Sequence, residues 1–249
     1  MSLYINKIGG TIPSTISGLT SLQTLDLFRN SLVGTIPSIL SVLTSLRYLS
    51  LYSNSLVGTI PSTMSVLTSL QTLDLATNSL MGTIPSIMSV LTSLQYLLLN
   101  SNSLMGTIPS TMSGLTSLQY LLLSSNSLVG TIPSTISGLI SLRYLDLATN
   151  SLVGTIPSTM SSLTSLQTLY LNNNYLTMGG ATSVSISTFS PTTLSGYIDL
   201  ADNCLVFDTT SPYPHRHVTA THCHSTGKYE VWCQNFQYSI VIISLVISE

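Results

Sequence analysis

Residues 22–45 read LQTLDLFRNSLVGTIPSILSVLTS, and the same phrase returns along the chain with few changes. Asparagine recurs at Asn6, Asn30, Asn54, Asn78, Asn102, Asn126, Asn150 and Asn174, always after 24 residues. The string Gly-Thr-Ile-Pro-Ser stands unchanged at Gly10, Gly34, Gly58, Gly82, Gly106, Gly130 and Gly154. A fixed period of this length marks a solenoid, in which each turn of chain is one unit that buries its apolar face only against its neighbours.

Within a unit, Leu22, Leu25 and Leu27 bracket a short strand with apolar side chains pointing inward, and Leu32, Ile36, Leu40 and Leu43 supply the other walls of the coil. Asn30 stands where the chain turns off the strand, and its amide can satisfy backbone groups that would otherwise be buried unpaired. A glycosylation or active-site role is the alternative, but the residue recurs with every coil and no Asn-x-Ser/Thr sequon occurs. Gly34 admits a tight or positive-φ backbone, and Pro37 fixes φ as the chain leaves its second extended segment. Residues 62–69, STMSVLTS, offer a polar cap and about two turns of short helix or 3-10 helix on the convex side.

The pattern L-x-x-L-x-L-x-x-N-x-L-x-G-x-I-P resembles the leucine-rich repeat, and its G-x-I-P segment is similar to the plant-type subclass of receptor-like kinase ectodomains and polygalacturonase inhibitors. The resemblance covers residues 1–176. It implies an α/β solenoid: a curved array with a parallel concave sheet, short helical or 3-10 convex segments and an irregular C-terminal cap. The expected organisation is a solenoid over 1–176, an irregular insertion with a degenerate last repeat over 177–203, and a Cys/His-containing cap with a hydrophobic tail over 204–249.

The chain has 249 residues with 6 Lys+Arg, 8 Asp+Glu and a net charge of -2, so 6% of it is charged. That excludes a basic nucleic-acid footprint and a charge-rich disordered tail. No G-x-S-x-G, P-loop, H-E-x-x-H or nucleotide fingerprint is present, so neither an enzyme nor a cofactor is expected.

Comparing repeats locates variation. Residues 55–78 and 79–102 share 18 of 24 positions, and four of the six differences fall at Thr72, Asp74, Ala76 and Thr77, on the concave face or just after it. Across the array this face carries Asp26, Arg29, Tyr48, Tyr52, Asp74, Tyr96, Leu98, Tyr120, Leu122, Tyr144, Asp146 and Tyr170, the candidate ligand-binding residues. Tyr48, Tyr96, Tyr120 and Tyr144 share one row, either as a recognition surface or simply as cross-strand packing. Leu98 and Leu122 beside them add an exposed apolar patch, which favours recognition. Asp26, Asp74 and Asp146 are two and three repeats apart, ~10 Å and ~14 Å at strand spacing, and are expected to be solvated acids rather than a hydrolytic pair.

A second face is uniform. Thr35, Thr59, Thr83, Thr107, Thr131 and Thr155 follow a column of Val33, Val57, Met81, Met105, Val129 and Val153, with Ser31, Ser55, Ser79, Ser103, Ser127 and Ser151 before it. This lattice of methyls and hydroxyls resembles ice-binding proteins; the alternative is a family consensus copied by duplication.

After Asn174 the period slips to Asn203, with a ninth strand expected at residues 197–200. Cys204, Cys223 and Cys233 fit a disulfide-stapled cap using two of the three, while His215, His217, His222, Cys223 and His224 offer a metal site only as a lesser alternative, and none is assigned. The apolar tail 238–249 falls short of the ~20 residues of a membrane span, and reads as a cap strand, a truncated anchor or a gene-model artefact. The abrupt start in mid-coil suggests a fragment, and no signal peptide opens the chain.

The function expected is a non-catalytic recognition module, extracellular or on a cell surface, that binds a protein, peptide or glycan ligand on its concave face and no nucleic acid. The alternatives are an ice-binding protein using the threonine flank, and a surface antigen or adhesin resembling the leucine-rich repeat surface proteins of protists, with the tail as remnant of a membrane anchor.

Overall fold

The computed structural model describes residues 1–177, 198–199, 203 and 218–219. Each 24-residue phrase closes one coil with a strand, a second strand and a 3-10 helix. The first strands, β2 (Thr24–Asp26), β4 (Tyr48–Ser50), β6 (Thr72–Asp74), β8 (Tyr96–Leu98), β10 (Tyr120–Leu122), β12 (Tyr144–Asp146) and β14 (Thr168–Tyr170), form the parallel concave sheet. It continues through β16 (Ile198–Asp199) and β17 (Val218–Thr219), so the strand expected at 197–200 pairs beside β14. Equivalent residues of adjoining coils sit opposite one another here: Tyr96, Tyr120 and Tyr144 are register partners.

The second strands, β1 (Gly9–Gly10), β3 (Ser31–Thr35), β5 (Ser55–Gly58), β7 (Ser79–Gly82), β9 (Ser103–Gly106), β11 (Ser127–Gly130), β13 (Ser151–Thr155) and β15 (Tyr175–Thr177), line the flank. Their register differs. Val33 lies opposite Ser55 and Thr35 opposite Val57, a shift of two residues per coil that recurs along the flank. The strands are therefore inclined to the solenoid axis, and equivalent side chains are ~8 Å apart across a step of one strand and two residues.

The remaining wall consists of five-residue 3-10 helices such as Ser62–Val66 and Ser110–Gly114. Sequence reading placed a polar cap here; instead Pro61 takes the cap position in extended conformation (φ -66°, ψ 127°), with no side-chain bond. A helix this short closes on the Leu67 N–H to Met64 carbonyl bond of 3.0 Å.

The core is one continuous column. Leu46, Leu49, Leu51, Leu56, Ile60, Met64 and Leu67 are buried in one interior coil, and the same seven positions are buried in the coils that follow. Leu22, in the first coil, is only partly buried. Along the edge between the two sheets runs the asparagine ladder. Asn126 donates through Nδ2 to the carbonyls of Leu99 (3.0 Å), Leu123 (3.1 Å) and Ser124 (3.2 Å), while its Oδ1 accepts the Leu104 N–H at 3.0 Å. Asn203 keeps the pattern across the 29-residue step: its Oδ1 accepts the Leu176 N–H (3.0 Å) and its Nδ2 donates to the Leu171 carbonyl (2.7 Å).

Candidate functional site

The concave sheet directs two residues per strand outward, and the loop that follows adds two more positions; Ser50, Ala76 and Ala148 are buried among them. Along the first row, Tyr96 and Tyr120 stack with centroids 4.9 Å apart and planes inclined by 14°, and Tyr120 and Tyr144 at 5.8 Å and 20°. Tyr144 meets Tyr170 at 5.6 Å and 50°. At the other end of the array, in the row beyond the strands, Tyr4 stacks on Phe28 at 5.0 Å and Phe28 meets Tyr52 at 6.3 Å. The face thus carries two aromatic ladders with a depression of small side chains, Thr72, Ala76 and Thr77, between them. Within a ladder the rings cover one another's faces, so each mainly offers its edge and hydroxyl. The rings of the tyrosine row pack as a ladder, as the cross-strand reading expects, and they remain half-exposed.

Leu98 and Leu122 stand opposite each other on β8 and β10, half-exposed beside the rings. Arg29 lies outside the sheet at a positive φ of 52°, exposed. Ser53, Thr77, Ser101, Ser125, Thr149 and Asn173 adopt the same left-handed conformation, each immediately before a ladder asparagine. This repeated strain is held by the amide that follows, which bonds back across the turn. The recurring asparagine was the available signal; the varied residues before it hid the conformation.

The acids depart from the sequence expectation. Asp74 and Asp146 are half-buried and hydrogen-bonded rather than fully solvated. Asp146 accepts the Ser124 hydroxyl at 2.7 Å and the Ala148 N–H at 3.1 Å, and burial outweighs these bonds to hold its carboxyl above the usual range. Asp74 accepts the Ala76 N–H at 3.1 Å and, at 3.4 Å, the hydroxyl of the buried Ser50; burial, with a smaller push from Asp26, raises it from 3.8 to about 6. Burial chiefly, and the acids Asp26 and Asp74, raise the Tyr48 hydroxyl. Among the described residues no cation is one of the groups that shift Asp74.

A stability profile follows. The unfolded chain loses the Asp74 proton near 3.8 and the native state near 6, so the native state holds the extra proton between these values. Folding stability should therefore fall as pH rises from about 4 to about 6, by ~1–2 kcal/mol after allowing for partial exposure. Asp74→Asn keeps an acceptor for the Ala76 N–H; urea titration should show it more stable than the parent at pH 7 and flatter across that window.

On the flank, Thr35, Thr59, Thr83, Thr107, Thr131 and Thr155 are exposed, with Val33 at 45% and Met105 at 50% exposure beside them. The hydrogen-bonded rows do not align like with like, since Thr35 has Val57 as its partner. Each threonine methyl through Thr131 also leans over the glycine of the next coil: Thr83 Cγ2 lies 2.8 Å from where a Cβ on Gly106 would stand.

Cys204, Cys223, Cys233, His215, His217, His222 and His224 lie outside the described residues. Among the described residues no group of three metal-ligating side chains exists, and no helix is long and apolar enough to cross a membrane.

A family model described as leucine rich repeat matches residues 21–80, 68–128 and 123–176, and a second runs over 165–191. The chain belongs to the leucine-rich repeat family. Among solved leucine-rich repeat structures it is similar to the ectodomain of the Arabidopsis thaliana receptor kinase GASSHO1/SCHENGEN3 in complex with Casparian strip integrity factor 2. The identity is 35%, with a TM-score of 0.75, covering 80% of this chain and 24% of that one. The Arabidopsis receptor kinase HAESA, in complex with the peptide hormone IDA and the co-receptor SERK1, matches at 34% identity and TM-score 0.73, over 82% of this chain and 33% of that one. A plant ice-binding protein matches at 26% identity and TM-score 0.56, over 85% of this chain and 84% of that one. Comparison with curated protein sequences finds no match. The leucine-rich repeat array thus spans a quarter to a third of the receptor chains it resembles.

Proposed function

We propose that the chain is a non-catalytic, extracellular recognition module that holds a peptide segment against its concave face. The observation that carries this reading is the half-exposed surface of Tyr96, Leu98, Tyr120, Leu122, Tyr144 and Tyr170, where rings, hydroxyls and leucine side chains adjoin on rigid strands. Tyrosine supplies large contact area with a polar edge at low entropic cost. Varied residues on an invariant scaffold give side-chain selection without altering the fold. The HAESA receptor kinase, solved with a peptide hormone, supports a peptide over a glycan.

Selection of a random peptide library on the intact protein tests this. Recovered peptides should bind at least tenfold more weakly to Tyr96→Ala and Tyr120→Ala, with unfolding curves little changed. Equal binding to both variants overturns the reading.

A second reading, ice binding through the threonine flank, draws support from the plant ice-binding neighbour matched over 84% of its length. The inclined register and the threonine methyls turned onto glycines weaken it. Absence of thermal hysteresis at high protein concentration would remove it.

A further inference from the structure

The first row of the concave sheet has a missing rung. Register places Tyr48, Thr72 and Tyr96 side by side on β4, β6 and β8, and the row continues with Tyr120 and Tyr144. Where tyrosines are adjacent they stack at 4.9 Å and 5.8 Å. Between Tyr48 and Tyr96, Thr72 leaves two strand steps, ~9.6 Å, which is two stacking intervals with one planar group absent. Two residues along the same strand, on the same face, stands Asp74. Its carboxylate is half-buried and accepts the Ala76 N–H and the Ser50 hydroxyl, and among the described residues no cation is one of the groups that shift it.

The other gaps in the row lack this combination. Thr24 has the ring of Tyr48 on one side and the first residues of the chain on the other, and Thr168 shares its strand with Tyr170 rather than an acid. The slot over Thr72 is bounded by tyrosines on both sides and carries a carboxylate on its own strand.

We propose that this slot receives an arginine side chain of the bound peptide, its guanidinium stacked between Tyr48 and Tyr96 and paired with the Asp74 carboxylate. The proposal rests on the concave-face reading and adds the chemistry of one ligand residue. A guanidinium is flat, weakly hydrated and permanently charged, so it stacks on rings and meets a carboxylate in the same plane. A lysine ammonium is a strongly hydrated point charge that does not fill a flat slot, and a neutral ring leaves the buried carboxylate unpaired.

The probe is acetyl-Gly-Arg-Gly amide, titrated into the full chain and followed by NMR of isotope-labelled tyrosine rings assigned by Tyr→Phe variants. Citrulline and lysine versions of the peptide serve as comparisons. The arginine peptide should shift Tyr48 and Tyr96 together, and bind at least tenfold more tightly than the citrulline peptide. Thr72→Tyr fills the slot with the residue that four other coils already carry in this row, and should reduce binding at least tenfold. Asp74→Asn should do the same while leaving the slot open. Equal binding of the citrulline peptide, undiminished binding to Thr72→Tyr, or shifts confined to Tyr120 and Tyr144 would overturn the arginine slot. That last result would leave the concave-face reading standing. Silence of every tyrosine on the face with all three peptides would count against both.

Discussion

Replacing Asn126 by alanine should cost about 3–4 kcal/mol, because the side chain serves four backbone groups that have been withdrawn from water. Its amide bonds the carbonyls of Leu99, Leu123 and Ser124, and its Oδ1 takes the Leu104 N–H. Each intact bond contributes ~1 kcal/mol net, and an orphaned buried group costs ~1–3 kcal/mol, so the loss is dominated by what is left unpaired. Those partners lie on two successive coils, and the damage therefore falls on the contact between neighbours that a solenoid depends on. Urea unfolding should show a lower midpoint and a broken transition with reduced m-value, as the two halves of the array begin to unfold separately. Asn126→Asp keeps the acceptor but sets a carboxylate oxygen against the carbonyls; it should be worse than alanine at pH 7 and recover on acidification, when the acid gains a proton to donate. Asn6→Ala, at the exposed end of the ladder, should cost under ~1 kcal/mol. A small effect at Asn126 matching that at Asn6 would refute the ladder as a source of stability.

Positions that recur at every period were legible in the sequence for a physical reason: a residue required by every coil leaves its trace many times over. The seven inward apolar residues, the asparagine, and the glycine at positive φ are of this kind. What a period cannot express is an angle. It reports the interval between equivalent residues, and both sheets share that interval, yet one pairs Tyr96 with Tyr120 while the other sets Thr35 against Val57. The two-residue shear of the flank was therefore invisible, and with it the leaning of the threonine methyls. The acids of the concave face were misread for a related cause. Alternation assigned Asp74 and Asp146 outward correctly, but an outward carboxylate is not fully solvated when a serine of the neighbouring coil bonds to it and burial raises its pKa. The slot over Thr72 belongs to the same class of feature. It is an absence in one coil, and it acquires meaning only when the rings on either side are seen to be one stacking step away on each side.

The glycine at the end of each flank strand supplies the second large effect. Gly106→Ala should destabilise by about 2–5 kcal/mol, the sum of two separable causes. Gly106 sits at φ +77°, where an alanine Cβ is strained by ~1–2 kcal/mol. The added carbon would also stand 2.8 Å from Thr83 Cγ2, a contact from which the threonine must retreat at a cost of ~1–3 kcal/mol. Thr83→Ser removes the methyl but keeps the hydroxyl, so in the Gly106→Ala background it should return the packing part and leave the backbone part untouched. The coupling between the two substitutions, measured as the non-additivity of their unfolding free energies, should be ~1–2 kcal/mol and favourable. Additive effects would mean that the methyl does not press on the glycine, and would restore a free threonine surface to the flank. Strong coupling would instead show that the Gly-Thr pair is kept by packing, one residue's missing carbon matched to the preceding coil's extra one, as it is at six of the seven glycines.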